Sequence, residues 1–516
     1  MAETGDRNVY RKRKRIQSRY GKKESHSSKQ KEVESASSLA ENVDYIKESL
    51  FQSADLKKRS VHFDGREGML LYIESLTDDK RLWKEVLQPI TRHREGELEE
   101  ILPAVDIKPE RDLTKGVDAL VDGNSLLFLE ESREFFILGT GAAYKRDIKE
   151  PENESVVRGA HDGFVEQLTI NLYSIRKRIN SPRLKVRFFE IGRIAKTKVA
   201  MVYMEDLANP DLIKAVEERV NTITADTLTS AGFLQEFTED APLSPFPQHL
   251  NTERPDRTVA HVMEGRVALL LEGDPTALIA PVTLFAFYQT PDDYHSRWIV
   301  GSFVRAIRLM SFLIAFQLPA FYIATIAFHA AILPIDLIFS IKGSLEQVPF
   351  PPLIEALLME LIFELLREAG IRLPSRVGQT IGIVGGLVIG DAIVKAGLVS
   401  YTMIIVVAMT AIASFLVPSN EMSASIRILR FPMMIAAATF GYIGISFVLM
   451  IIFIHLIKIH SFGTPYLAPV APLRIRDMKD TFLRFPIWIL RNRPHDPHPK
   501  RMEQESISRE WNRRDP

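Results

Sequence analysis

Long uncharged stretches follow residue 300, whereas charged and apolar residues are interspersed up to about residue 260. The stretch 309–328 has twenty residues without a charge, and 399–417 and 431–454 are also uncharged. The stretch 377–390 is apolar and rich in glycine. Because about 20 apolar residues in a helix cross a hydrocarbon core of ~30 Å, these patterns predict four spans within a helical membrane domain at residues 297–460.

A more charged helix is predicted between these stretches, at residues 353–369. The residues that share its polar face are Glu360, Glu364, Arg367 and Glu368. Leucine and isoleucine residues occupy the opposite face. Several charges make a lipid-facing span costly, so the pattern favours an interfacial or re-entrant amphipathic helix. Glu360 and Glu364 are accordingly candidates for residues on an ion path.

The charged half of the chain alternates short apolar runs with helical patterns. Strands are predicted at 70–73, 119–121, 126–129, 135–138, 184–192, 199–203, 265–271 and 277–284. Helices are predicted at 77–87, 95–102, 164–179 and 211–221. The turns at Asp122-Gly123 and Gly273-Asp274 suggest related subdomains, without a strict repeat in the sequence. The predicted fold class is a soluble α/β N-terminal region of two subdomains, 41–160 and 161–296, followed by an all-α polytopic membrane domain.

Both ends of the chain are basic. Residues 7–31 contain eleven Lys or Arg and one acid, so residues 1–40 are predicted to be a disordered tail, either solvated or in contact with anionic lipid. Nucleic acid is not an expected partner, because no folded nucleic-acid-binding motif accompanies the run. The segment 461–516 is predicted to be a basic C-terminal tail. The positive-inside rule, together with the lack of a signal peptide pattern, predicts cytoplasmic N- and C-termini.

The glycine-rich stretch carries two patterns on one helix. Its small residues at four-residue spacing, which allow helix backbones to approach closely, are Gly378, Gly382, Gly386 and Gly390. A second stripe consists of Val384, Val388, Asp391 and Lys395. In a homo-oligomer each stripe residue would form a ring, with Val388 as an apolar constriction and Asp391 attracting cations. The alternatives are that the stripe only contacts a neighbouring span, and that Asp391 and Lys395 only mark a membrane edge.

Catalytic chemistry is not expected from this sequence. The chain contains no cysteine, which excludes disulfides and thiol catalysis. The twelve histidines show no metal-ligand spacing, and no phosphate-binding loop precedes a helix. We therefore predict a protein that is not an enzyme and that needs neither a cofactor nor a metal.

Several sequence blocks resemble one known family. Residues 246–257, Phe-Pro-Gln-His-Leu-Asn-Thr-Glu-Arg-Pro-Asp-Arg, are similar to a signature of the A subunit of bacterial spore germinant receptors, the GerA family. The blocks Glu-Gly-Arg-Val-Ala at 264–268, Ala-Pro-Val-Thr at 280–283 and the glycine-rich run at 382–390 also match, in the same order. The resemblance extends over roughly residues 60–490, and the basic N-terminal tail lies outside it.

This resemblance implies a cytosolic region of two α/β subdomains and a membrane domain in the inner membrane of the dormant spore. It implies assembly with a transporter-like B subunit, which binds the nutrient, and with a lipoprotein C subunit. It further implies a homo-oligomer that forms a nutrient-gated cation channel. Two alternatives stay open at the level of sequence: a paralogue of the spoVA operon that assists ion release, and a secondary transporter.

Overall fold

The computed structural model describes residues 33–93, 96–142, 150–151, 153–346, 348–372, 386 and 390–504. Its contacts divide the chain into two compact units. The smaller unit takes its described residues from Met1–Glu48, Lys58–Tyr72 and Asp79–Gly141. The larger unit takes them from Ser49–Lys57, Ile73–Asp78 and Ala142–Pro516, and it contains all the helices of the predicted membrane half.

The α/β part contains two five-stranded antiparallel sheets. The strands of the first sheet are β1 Leu56–Phe63, β2 Arg66–Ile73, β3 Ile107–Glu110, β4 Ser125–Leu129 and β5 Phe135–Leu138. Those of the second are β6 Leu184–Ile191, β7 Thr197–Met204, β8 Leu250–Thr252, β9 Val267–Leu271 and β10 Ala277–Ala280. A short two-stranded ladder, β11 His460–Ser461 and β12 Thr464–Pro465, follows the last long helix.

The helices of the α/β part flank these strands in the chain. They are α1 Leu39–Ser49, α2 Asp79–Arg81 continuing through Leu82–Leu87 and Gln88–Arg92, α3 Leu98–Ile101, α4 Leu113–Val121, α5 Leu168–Arg178, α6 Pro210–Thr222, α7 Ala231–Thr238, α8 Pro255–Met263 and α9 Pro291–His295. The longer helices of the C-terminal half are α10 Trp298–Phe328, α11 Ile335–Leu345, α12 Pro352–Arg372, α13 Tyr401–Phe415 and α14 Asn420–Lys458. The predicted fold class, an α/β region followed by a helical half, is confirmed.

The same strand order recurs in both sheets. The first has the order β1-β2-β4-β5-β3, and the second has β6-β7-β9-β10-β8. The elements α4, β4 and β5 begin at Leu113, Ser125 and Phe135; α8, β9 and β10 each begin 142 residues further on (for α8, 255 − 113). The two subdomains are therefore related in topology, as suggested. The turns at Asp122-Gly123 and Gly273-Asp274, which prompted the suggestion, do not occupy equivalent positions in the two sheets.

An asparagine clamp also recurs. Asn42, the fourth residue of α1, accepts a hydrogen bond from the Ala36 amide at 2.8 Å and donates to the Ala36 carbonyl at 2.7 Å. Asn171, the fourth residue of α5, makes the same pair of bonds to Val165, at 2.8 and 2.6 Å. Each clamp satisfies a buried side chain while fixing the chain that enters the helix.

One predicted strand is a helix. Residues 119–121 belong to α4, which starts where the Asp112 side chain accepts a hydrogen bond from the Thr114 amide. The N-cap therefore decides the element, because a three-residue apolar run has no period of its own. Gly123 has φ +102° and Gly265, after α8, has φ +96°, so both glycines follow a helix in a conformation that other residues rarely adopt.

The described helical half matches the predicted spans in part. Helices α10 and α14 are long and apolar enough to cross a membrane, and α13 is a shorter apolar helix. Helix α10 includes the predicted span 309–328 but begins earlier, at Trp298. Helix α13 lies within the predicted 399–417. Of the predicted span 377–390, only Gly386 and Gly390 belong to the described residues.

The fourth predicted span, 431–454, is broken. Gly441 has φ 58° and ψ −139° in the middle of α14, which is not helical backbone. Ser425 bonds the Pro245 carbonyl, and His455 Nε2 lies 2.9 Å from Ser244 Oγ. A straight helix would separate residues 425 and 455 by about 45 Å. Helix α14 is therefore an antiparallel hairpin whose two legs return to the α/β region.

The described part of the C-terminal segment, residues 460–504, is bonded to the α/β region. The Leu284 amide donates to the Tyr466 carbonyl at 2.8 Å, and Arg493 Nε donates to the Met263 carbonyl at 2.8 Å. The Tyr466 side chain is fully buried in the same core as Phe246 and Phe287. The described residues 460–504 therefore lie on the side of the helical half where the second α/β subdomain lies.

Candidate functional site

Helix α12 turns its charged face into the helical bundle. The Glu360 and Arg430 side chains are only 4% and 3% exposed, and they form an ion pair. Arg430 Nε also donates to the Ala315 carbonyl of α10 at 2.8 Å. The interfacial or re-entrant position predicted for residues 353–369 stays a prediction, and the structure adds that arginines of α14 lie beside Glu360 and Glu364 of this face. Burying two opposite charges together removes most of the cost that argued against a packed helix.

A second pair lies one turn further along α12. Glu364 Oε1 is 3.1 Å from Arg427 Nε, and it is 3.8 Å from Arg367 Nη1. Arg367 Nη2 donates to Ser414 Oγ of α13 at 3.0 Å. Together with the Glu360–Arg430 pair, this network joins α10, α12, α13 and α14 through polar side chains.

The arginines of this network were missed at the level of sequence. Arg427 and Arg430 immediately precede the uncharged stretch 431–454, so they were read as lying outside the span. Their spacing carried a signal, because two arginines three residues apart face the same way on a helix. Glu360 and Glu364, four residues apart, present a complementary face.

Glu355 lies at the other end of α12. Its side chain is fully buried and accepts a hydrogen bond from the Ser400 amide at 2.8 Å. Ser400 Oγ is 3.4 Å from Thr402 Oγ1, which is 2.6 Å from the Tyr322 hydroxyl. Among the described residues this acid forms no ion pair, in contrast to Glu360 and Glu364.

The predicted ring residues are described only in part. Lys395 Nζ and Asp391 Oδ2 are 2.7 Å apart, with side chains 74% and 60% exposed, so these two residues form the expected pair on the surface of the single chain. A side chain added at Gly386 or Gly390 would meet no described atom within 4 Å. The remaining candidates, Val384, Val388, Gly378 and Gly382, lie outside the described residues.

A buried ion cluster joins α10 to the α/β region. Arg305, which is fully buried, lies 2.9 Å from Asp293 and 2.8 Å from Asp480. Arg308 lies 3.3 Å from the same Asp293. The Tyr294 hydroxyl donates to Asp480 at 2.5 Å, and burial raises the pKa of that hydroxyl well above its ordinary value. Arg305 and Arg308, which precede the predicted span 309–328, therefore make internal connections, Arg305 to Asp293 and Asp480 and Arg308 to Asp293.

This cluster gives a stability prediction. Asp293→Asn removes the shared anion of two buried guanidinium groups, and we expect a loss of about 3 kcal/mol in the free energy of unfolding. Thermal unfolding of the purified full chain in detergent measures it. The exposed Asp211→Asn, in the first turn of α6, is the matched control and should change stability by less than about 0.5 kcal/mol. Equal midpoints for the two variants would show that Asp293 is not needed to neutralise the cluster.

The comparisons with known proteins identify the class of this chain. The family model of the Bacillus/Clostridium GerA spore germination proteins matches residues 44–496. The chain therefore belongs to the GerA family of spore germination proteins, as its sequence blocks predicted.

Its relatives match over nearly their whole length. It is 39% identical over 468 residues to spore germination protein B1 of Bacillus subtilis (strain 168), covering 89% of this chain and 97% of that protein. It is 38% identical over 464 residues to the uncharacterized membrane protein YfkQ of the same organism, covering 88% and 90%. Among solved structures, the N-terminal domain of the A subunit of the Bacillus megaterium spore germinant receptor GerK3 aligns with 49% of this chain and 98% of that chain, at 24% identity and a TM-score of 0.39.

Proposed function

We propose that this protein is the A subunit of a nutrient-responsive spore germinant receptor and that its helical half forms a cation path in a homo-oligomer. The family membership supports the receptor role. The observation that carries the path is the inward-facing charged surface of α12, with Glu360 and Glu364 paired to Arg430 and Arg427. A bundle that served only as an anchor would gain nothing from these charges, and ionisable groups within spans usually serve transport or gating.

The proposal includes an arrangement in the spore inner membrane. The second α/β subdomain and residues 460–504 lie together, which supports placing both termini in the cytoplasm, on the side favoured by their basic sequences. The nutrient would bind to a transporter-like B subunit, with a lipoprotein C subunit completing the receptor. The A subunit would then respond by a change in its helices, without a catalytic step.

Reconstitution tests the proposal directly. Purified full-length chain would be inserted into liposomes loaded with K⁺, with and without B and C subunits, and K⁺ release would be followed on adding nutrient. We expect nutrient-dependent release only with the complete receptor, and a multiple of the single-chain mass for the A subunit in detergent. A strictly monomeric A subunit, or release that is unchanged when A is omitted, would refute the cation path.

The exposed Asp391 provides a specific prediction for flux. In a ring its carboxylate would attract cations, so Asp391→Asn should lower K⁺ flux by about two- to thirtyfold, since one unit charge at ~8 Å is worth roughly 0.5–2 kcal/mol. Lys395→Gln should raise flux, because it removes the opposing charge. Asp336→Asn, in the first turn of α11 and also exposed, is the control and should conduct as the parent does. If all three variants conduct alike, Asp391 does not face the ion path.

A further inference from the structure

Glu355 is a buried carboxylate that has no cationic partner among the described residues. Its side chain is fully buried, and its Oε1 atom has no hydrogen-bond partner among the described residues. Its Oε2 atom accepts only the amide of Ser400. A buried charge that is neither paired nor fully hydrogen-bonded costs several kcal/mol. The Oε1 atom is therefore a buried hydrogen-bond acceptor that no described group satisfies.

Two other acids of α12 have arginines beside them that offset the cost of burying a charge. Glu360 and Glu364 each lie beside an arginine of α14. Glu355 forms no ion pair within the described part of the chain, although it lies only five residues before Glu360. The helix dipole at the start of α12 favours an anion there, but it amounts to about half a charge. The local structure leaves a net negative site within the bundle.

Hydroxyl groups of the kind that a hard cation accepts as ligands are linked to Glu355 through Ser400. The Ser400, Thr402 and Tyr322 hydroxyls form a connected set, with contacts of 3.4 and 2.6 Å, and this set adjoins the carboxylate through the Ser400 amide. Carboxylate and neutral oxygen atoms select alkali and alkaline-earth ions over softer metals. One carboxylate with neutral oxygens matches a single positive charge.

We infer that Glu355 binds a monovalent cation, K⁺ or Na⁺, together with the hydroxyls of Tyr322, Ser400 and Thr402. The inference deepens the proposed function, since it names a cation site in the helical half. It places that site away from the Glu360–Arg430 pair, where the arginine already neutralises the acid. A cation bound here would connect α10, α12 and the start of α13.

Cation-dependent stability tests this site without measuring flux. The full chain in detergent would be heated in KCl, in NaCl and in N-methylglucamine chloride at equal ionic strength and constant pH. We expect the unfolding midpoint to rise by roughly 2–6 °C with K⁺ or Na⁺ and to saturate with concentration. Glu355→Gln should abolish the dependence, and Tyr322→Phe should shift it to higher concentration. Glu368→Gln, at an exposed pair with Arg372, is the matched control and should retain it.

The outcomes separate this inference from the proposed function. Equal midpoints in all three salts would overturn the site, as would a cation-dependent shift that Glu355→Gln retains. A saturable, Glu355-dependent shift in a chain that conducts no ions would leave the site standing and refute the cation path. If the parent shows no cation-dependent shift and Glu355→Gln still conducts ions, the cation site is refuted and the cation path stands.

A separate observation concerns the segment 473–489. Several of its large apolar side chains are exposed, including Leu473 at 65%, Ile475 at 74% and Ile487 at 50%. Exposed cations accompany them, namely Arg476, Lys479 and Arg491. A cavity of about 690 Å³ opens beside the segment, and its lining contains these three cations together with the acids Asp256, Glu264, Asp477, Asp480 and Asp496. Apolar side chains interleaved with basic ones are the pattern of a chain that lies in the headgroup layer of a membrane.

The position of this segment agrees with that layer. Ser302 Oγ donates to the Arg484 carbonyl at 2.6 Å, and Arg305 Nη1 donates to the Asp480 carbonyl at 2.6 Å, so the segment is fixed to the first turns of α10. Trp298 and Phe303 of those turns are also exposed. We propose that residues 473–489 lie in the headgroup layer of the membrane and contact anionic lipid.

The cysteine-free sequence makes depth measurements simple. A fluorophore on Ile475→Cys in the full chain, reconstituted in bilayers with or without ~30% phosphatidylglycerol, should be quenched by headgroup-depth spin-labelled lipid and protected from iodide. A fluorophore on Val157→Cys, a position 87% exposed on the α/β region, is the control. It should be quenched by iodide and not by the spin-labelled lipid. Equal iodide quenching at the two positions would overturn the proposal. Lipid quenching that does not depend on phosphatidylglycerol would overturn its anionic specificity.

Discussion

Replacing Arg430 with glutamine should destabilise the helical half by about 3–5 kcal/mol, because Glu360 would be left as an unpaired charge inside the bundle. The pair is almost entirely buried, and Arg430 also holds the Ala315 carbonyl of α10. Thermal unfolding of the purified full chain, followed by helical circular dichroism, measures the loss. We expect the variant to accumulate poorly in membranes for the same reason.

Two controls identify the cause. Arg372→Gln removes one partner of the Arg372–Glu368 pair, whose side chains are 77% and 58% exposed, and it should cost less than about 1 kcal/mol. The double variant Glu360→Gln with Arg430→Gln should regain part of the lost stability, since neither charge then remains. A double variant no more stable than Arg430→Gln alone would mean that the Ala315 contact, and not the ion pair, is responsible.

Gly441→Leu should prevent the α14 hairpin from forming. A leucine at this backbone conformation costs about 1–3 kcal/mol, and its Cβ would also press against Phe328 at about 3.2 Å. A continuous helix is then favoured over the reversal. The readout is a short thiol cross-link between Ser244→Cys and His455→Cys, two positions in contact only when the chain turns back.

The cross-link should form in the parent background and be lost with Gly441→Leu. Gly370→Leu, at a helix position where an added side chain meets nothing within 4 Å of the described atoms, should leave it intact. Cross-linking of the Gly441→Leu variant at the parent yield would show that the reversal does not depend on glycine.

The sequence predicted what depends on local periodicity and length. The strand at 184–192 begins with alternating apolar and polar residues, and 199–203 is a continuous apolar run, so both were placed within two residues of β6 and β7. The stretch 309–328 is long enough to be a span whatever packs against it. Residues 119–121 could not be placed, because three apolar residues have no period and the Asp112 cap decides the element. The reversal at Gly441 was invisible to hydropathy, since the residues from 431 to 454 are uncharged on both sides of Gly441.

The candidate site was predicted only as far as single helices allow. Glu360 and Glu364 lie on one face of α12, as predicted, but the arginines that pair with them were not predicted. Whether Glu360 meets lipid headgroups or another side chain depends on Arg430, which lies 70 residues further along the chain. No local sequence pattern contains that information. The Glu355 environment is likewise built from three separate helical segments.

The recurring strand order points to the history of the gene. Two sheets of the same order, each preceded by a helix with an asparagine clamp, are expected when a coding segment is duplicated and fused in tandem. The copies have since diverged at the ninth residue of that helix. Lys47 is 35% exposed in the first copy, whereas Arg176 is 1% exposed in the second and bonds Asp55 at 2.7 Å. Purifying selection should therefore act strongly on this position in the second copy and weakly in the first.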